Sequence, residues 1–191
     1  MHQRESEALI AEWLGGIEPP ELGPGPRPGV WPESHVHGLV QARLAGLTLP
    51  TETRRAVEAL VLLWHDHLDT AHRIAQGLET PDGNFVHAIM HRREPDYWNS
   101  KYWWRRVGAH PCFPEIARRV EVFLAQAQDA ALAGRLLQNG GWDAAAFVDA
   151  CADAATLPPE DVRVQRLRAI QRIETEAALA GWLARATASR P

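Results

Sequence analysis

The sequence predicts an all-α fold, a single-domain helical bundle of about seven or eight helices. Three observations carry this. Apolar residues recur at spacings of three and four in segment after segment. No stretch alternates with period two for long enough to form a strand. Glycines, prolines and capping Asp or Thr residues punctuate the periodic segments where helices should start and stop. The length of 191 residues fits one domain, 1–191, and 46% hydrophobic residues supply an ordinary core.

The elements follow in order. Leu9, Ile10, Trp13 and Leu14 mark a helix over residues 6–14, stopped by Gly15-Gly16. Residues 19–34 form a Pro/Gly-rich arm, PPELGPGPRPGVWPES, in which 19–32 hold six prolines. Proline lacks the donor a helix needs, so the arm should be coil, with Trp31 as its anchor. A short helix follows over 35–45. Thr51 is placed to cap a long helix, 52–76, which Gly77 stops. The turn TPDG leads into a helix over 84–93, ended by Pro95. Asp96 caps a helix over 97–107. A long helix is expected from 115 to 139, broken by Gly140-Gly141. Asp143 caps a helix through 155, and Pro158-Pro159 open a last one reaching 186.

Composition excludes several classes. The 24 acidic and 20 basic side chains leave a net charge of −4, which argues against a nucleic-acid partner. No run approaches the ~20 apolar residues of a membrane span. The polar N-terminal stretch does not read as a secretory signal. Cys112 and Cys151 form no CxxC pair, which argues against a thiolate metal site or a disulfide framework. A cytoplasmic location is the expectation.

The histidines localise a site, for six of the nine lie between His65 and His110. On a wheel over 52–76, Leu60, Leu63, Trp64, Leu68, Ala71 and Ala75 share an apolar face. His65, Asp69, His72 and Gln76 make a separate stripe about 60° wide. His67 falls inside the apolar face and reads as a core histidine. On the next helix, His87, His91 and Glu94 share a stripe, with His87 and His91 at i, i+4 spacing. Folding the two helices back about the 77–83 turn brings Asp69 and His72 level with His87 and His91. These four residues are the candidate metal ligands, for Zn, Fe, Mn or Ni. They are equally candidates for general acid–base catalysis.

Residues 91–106, HRREPDYWNSKYWWRR, interleave basic and aromatic side chains. Asn99, Tyr102 and Arg106 share a helix face, with Trp103 at its edge. Together with Arg93 they are candidates to hold a small anionic substrate, since Arg offers a planar donor fork and aromatics offer flat walls. The competing expectation is that the Trp residues are core and the Arg residues are paired with Glu94 and Asp96. His110 beside Cys112 has the composition of a base–nucleophile pair, although the thiol of an isolated Cys is usually buried and inert.

The run DGNFVHAIMHRREPDYWNSKYWWRRVGAHP, with WHDHLDTAH before it, resembles a family of uncharacterised microbial all-helical proteins. The resemblance covers about residues 60–113. It implies that the two histidine helices and the Arg–aromatic helix form one unit, and it implies no substrate. Three functions stay open at this point. They are a metal-dependent, hydrolase-like enzyme acting on a small anion, a non-catalytic binder of a small acidic ligand, and a structural or interaction protein using the arm or the last helix.

Overall fold

Helix-forming periodicity is realised throughout the chain. The computed structural model describes residues 3–188, with side chains described over 4–138 and 140–186. Among these residues it contains ten α-helices. They are α1 (Gln3–Leu14), α2 (Glu33–Leu44), α3 (Thr51–Trp64), α4 (Leu68–Gln76), α5 (Pro81–Arg93), α6 (Tyr97–Val107), α7 (Phe113–Gln126), α8 (Ala130–Leu136), α9 (Ala144–Ala154) and α10 (Val162–Leu183). The only sheet in the described residues is a two-residue antiparallel pair, Leu47 opposite Ala188 and Thr48 opposite Thr187. None of the described helices is long and apolar enough to cross a membrane.

Two expected helices are each divided in two, which accounts for the higher count. The segment 52–76 breaks at His65–His67, where Asp66 takes a left-handed φ of 64°. The segment 115–139 breaks near Gln128, at φ 52°, and Asp129 then caps α8 by accepting from Leu132 N–H. Several ends shift by a few residues. Thr51 opens α3 rather than capping it, α5 starts at Pro81 under a Thr80 cap, and α10 starts at Val162 under an Asp161 cap. Asp96 and Asp143 cap α6 and α9 as expected.

At the centre lies α5, buried from Asp82 through Arg93. A helix buried on all faces must satisfy its polar side chains internally. Arg92 directs both terminal nitrogens to Glu174 and Gln171 on α10, with its guanidinium 4.5 Å from the Phe147 ring centroid of α9. Its ion pair with Glu174 is shut off from water at both ends. The start of α5 packs so closely that a β-carbon on Gly83 would lie 2.4 Å from Leu78 Cβ. Ser100 donates to Ala88 O at 2.6 Å and pins α6 along α5.

The Pro-rich arm is helix-free over 19–32 and lies against the α3–α4 break. Asp66 holds it. Its carboxylate accepts from Arg27 Nη1 and from Arg93 Nη2, each at 2.6 Å, and from the Arg27 backbone N–H at 2.9 Å. The two guanidiniums reach further, Arg27 to Trp64 O and Arg93 to Leu63, Gly23 and Pro24 carbonyls. The arm comes so near that a β-carbon on Gly25 would sit 2.8 Å from Asp66 Cγ, and its φ of 86° also requires glycine. Trp31 anchors the arm by stacking on His65, ring centroids 4.7 Å apart and 13° from parallel. His67 contacts Trp31 O at 2.8 Å, as befits a satisfied structural histidine.

Replacing Asp66 by Asn keeps the shape and removes the charge, leaving two guanidiniums buried beside a neutral amide. Breaking a buried charge cluster this way costs about 3–5 kcal/mol. Urea denaturation of D66N should show a loss in that range, and a loss under about 1 kcal/mol would contradict this account.

His65 also predicts a pH dependence. Its Nε2 lies 2.9 Å from Trp13 O, so it carries the proton, and Nδ1 accepts from Trp31 N–H at 3.3 Å. A second proton would face that N–H inside a dry site, and burial lowers the His65 pKa. The unfolded chain therefore binds a proton below its pKa of about 6.5 that the folded chain refuses, and stability falls as pH drops through that value. Melting curves from pH 8 to pH 5 should slope less steeply for H65Q than for the parent, and parallel profiles would refute the assignment.

Candidate functional site

Three histidines from two helices meet beside α6. The break at Asp66 starts a new helix at Leu68, whose buried face is Leu68, Ala71 and Ala75. His72, next to Ala71, stands at the edge of that face and turns towards α5. His87 and His91 are one turn apart on α5 and stack in parallel, 6° between planes, with centroids 5.4 Å apart. The His72 ring lies edge-on to both, at 4.8 Å from His87 and 5.2 Å from His91. Each ring offers one nitrogen such that all three lie within 4.8 Å of one another.

The environment disfavours the charged forms of His87 and His91. Burial, then the neighbouring His72 and His91, push the His87 pKa down to about 3. Burial also lowers His91, with Glu94 opposing it. His87 Nδ1 is buried without a hydrogen-bond partner among the described residues. The other two rings have partners. Asn99 Nδ2 donates to His91 Nε2 at 3.1 Å, while Glu94 and Asp96 lie 3.4 and 3.9 Å from His91 Nδ1. Gln76 Nε2 donates to His72 Nε2 at 3.0 Å.

The α6 side closes the site with aromatic surface. Trp103 lies flat on His87, centroids 4.0 Å apart and 12° from parallel. The exposed Arg106 guanidinium lies 5.4 Å from the Trp103 ring and 5.9 Å from Tyr102. It has no carboxylate partner among the described residues.

The sequence expectations divide accordingly. His72, His87 and His91 come together as the hairpin register required. On α6, Asn99 contacts His91, whereas Tyr102 and Arg106 contact Trp103, the ring that covers His87. Asp69 is a correction, because it is exposed and outside the histidine group. Asp69 and His72 share α4, but at i, i+3 they diverge by about 60°, which turns Asp69 to solvent while His72 faces α5. Arg93 is a second correction, because its guanidinium is buried and committed to Asp66 and three carbonyls. Its partners lie at the α3–α4 break and in the arm, far along the chain, about which local spacing says nothing. Trp103 as the wall against His87 was legible only as a residue at the edge of the Asn99 face.

Cys112 does belong to a chain of contacts. His110 Nδ1 lies 2.8 Å from its Sγ, His110 Nε2 lies 3.0 Å from Asp82, and Arg185 pairs with Asp82. Burial pushes the thiol up to about 12, so it carries no thiolate at neutral pH. Cys151 is buried and raised to about 12 as well. A thiol-reactive disulfide reagent should therefore label neither cysteine in the native protein within minutes, and both in denaturant. Rapid labelling of Cys112 in the native state would reinstate it as a nucleophile.

No known protein family, curated protein or solved structure matches the chain.

Proposed function

We propose that this protein is a metal-dependent enzyme of hydrolase type acting on a small anionic substrate, with His72, His87 and His91 as the metal ligands. The observation that carries the reading is the convergence of three imidazoles, with a nitrogen of each within 4.8 Å of the others, at a site where His87 Nδ1 is buried without a hydrogen-bond partner among the described residues. An unsatisfied buried acceptor costs about 1–3 kcal/mol. A divalent cation would satisfy it, and neutral imidazole is the form a metal requires. Three histidines suit zinc first and nickel, iron or manganese next.

Nitrogens bound tetrahedrally to zinc stand about 3.4 Å apart, so binding would draw the rings together by roughly 1 Å. Glu94 and Asp96 beside His91 are suited to orient that ring, as carboxylates behind metal-bound histidines do. A site with three protein ligands leaves a position for water, whose pKa the metal lowers towards 7. Arg106 supports the anionic character of the substrate, since its exposed guanidinium is unpaired among the described residues.

Calorimetric titration of chelator-treated protein with zinc should give one site per chain. H87A should weaken it at least a hundredfold, whereas D69A should leave it within about twofold. Absence of saturable binding of zinc, nickel, iron(II) or manganese would overturn the metal reading. The second reading, a non-catalytic binder of a small acid, draws on the same free Arg106. It is favoured if anions bind but the zinc-loaded protein hydrolyses no phosphate or carboxylate ester.

A further inference from the structure

The outer face of α6 carries a second set of groups. Trp98 is 73% exposed and Tyr102 is 37% exposed. One turn apart, their rings are 11° from parallel with centroids 6.4 Å apart. The next position on this face is Arg106, whose guanidinium contacts Tyr102 and Trp103. Trp103 in turn lies flat on His87. A row of flat groups therefore runs along the exposed face of α6 from Trp98 to the unpaired charge of Arg106, with Trp103 linking that end to His87. From Trp98 to Arg106 the helix rises about 12 Å, and from Tyr102 to Arg106 about 6 Å.

Core packing does not account for this face. Trp13, Trp64 and Trp182 are fully buried, whereas Trp98 leaves most of its ring in water. An exposed aromatic face that continues into a cationic site is suited to flat, anionic ligands. Aromatic rings stack on nucleobases irrespective of base identity. Arg recognises phosphate through its planar fork. No acid lies within α6, and its cap Asp96 stands at the end opposite Arg106, where it accepts from Asn99 N–H and faces His91.

Resting on the reading of the histidine cluster as a site for an anionic substrate, we infer that this substrate is a nucleoside phosphate. Its base stacks on Trp98 and Tyr102, and its phosphate lies against Arg106, at the edge of the site that Trp103 closes. The ribose supplies the spacing between them. A sugar phosphate without a base would reach Arg106 but leave the aromatic face bare. A free nucleoside would cover that face but leave the guanidinium without an anion.

The test is calorimetric titration of chelator-treated and zinc-loaded protein with adenosine monophosphate, ribose 5-phosphate and adenosine. The nucleotide should bind at least tenfold more tightly than either fragment. W98A, which alters an exposed residue, should weaken nucleotide binding about tenfold and leave ribose 5-phosphate unchanged. R106Q should weaken both phosphates and leave adenosine unchanged. Equal affinity for nucleotide and ribose 5-phosphate, with W98A silent, would overturn the role of the base while leaving an anion site intact. No binding of any of the three by a protein that takes up zinc would overturn the inference and spare the metal site. Nucleotide discrimination in a protein that binds no metal would uphold the inference and defeat the metal reading.

Discussion

The fold turns on one carboxylate. Asp66 is buried between two guanidiniums at a point where the backbone takes a left-handed turn. A buried carboxylate is costly alone, and so is a buried guanidinium, but together they satisfy one another and nearby carbonyls. The cluster closes α3, frees α4 to start again at Leu68, and ties the Pro-rich arm across the break. It also fixes the end of α5 through Arg93. The position of His72 over His87 and His91 follows from where α4 restarts, so a structural ion cluster sets the geometry of the candidate site.

That dependence explains what was legible in the sequence and what was not. The helical class, the caps at Asp96 and Asp143 and the coil of the arm rest on local chemistry, so spacing and proline content reveal them. The meeting of His72 with His87 and His91 was also legible, because a short hairpin constrains its own register. The two helix breaks were not. Each is stabilised from far along the chain, Asp66 by Arg27 and Arg93 and Asp129 by Arg166. Within a local window, Asp66 and Asp129 look like any polar residues on a helix. The correction at Arg93 belongs to the first of these breaks, since its carboxylate partner is Asp66.

The histidine cluster runs against the economy of the surrounding core. Arg92 and Arg93 are as deeply buried, yet each finds several acceptors. His87 has its Nδ1 turned into protein without any, beside two rings whose charged forms would repel its own. Sequences that fold well remove such conflicts unless something else requires them. Neither helix propensity nor packing requires three imidazoles here, since an apolar side chain at position 87 would leave no acceptor unsatisfied. Packing alone therefore does not call for the cluster, and ring nitrogens gathered within 4.8 Å of one another are what a cation would take.

The arginines make the same division from the other side. The sequence has 19 of them against one lysine, so their abundance alone points to no site. Their partners separate them. Arg27, Arg92 and Arg93 are buried and each is paired with a carboxylate, and their planar forks bind helices and arm into one body. Arg106 is exposed, rests on aromatic faces and meets no acid among the described residues. Guanidinium groups built for structure are consumed by it, and a group built to receive a ligand has to be left over. Helices α5 and α6 lie side by side, and the boundary between those two uses runs between them, with Trp103 and His87 in contact across it.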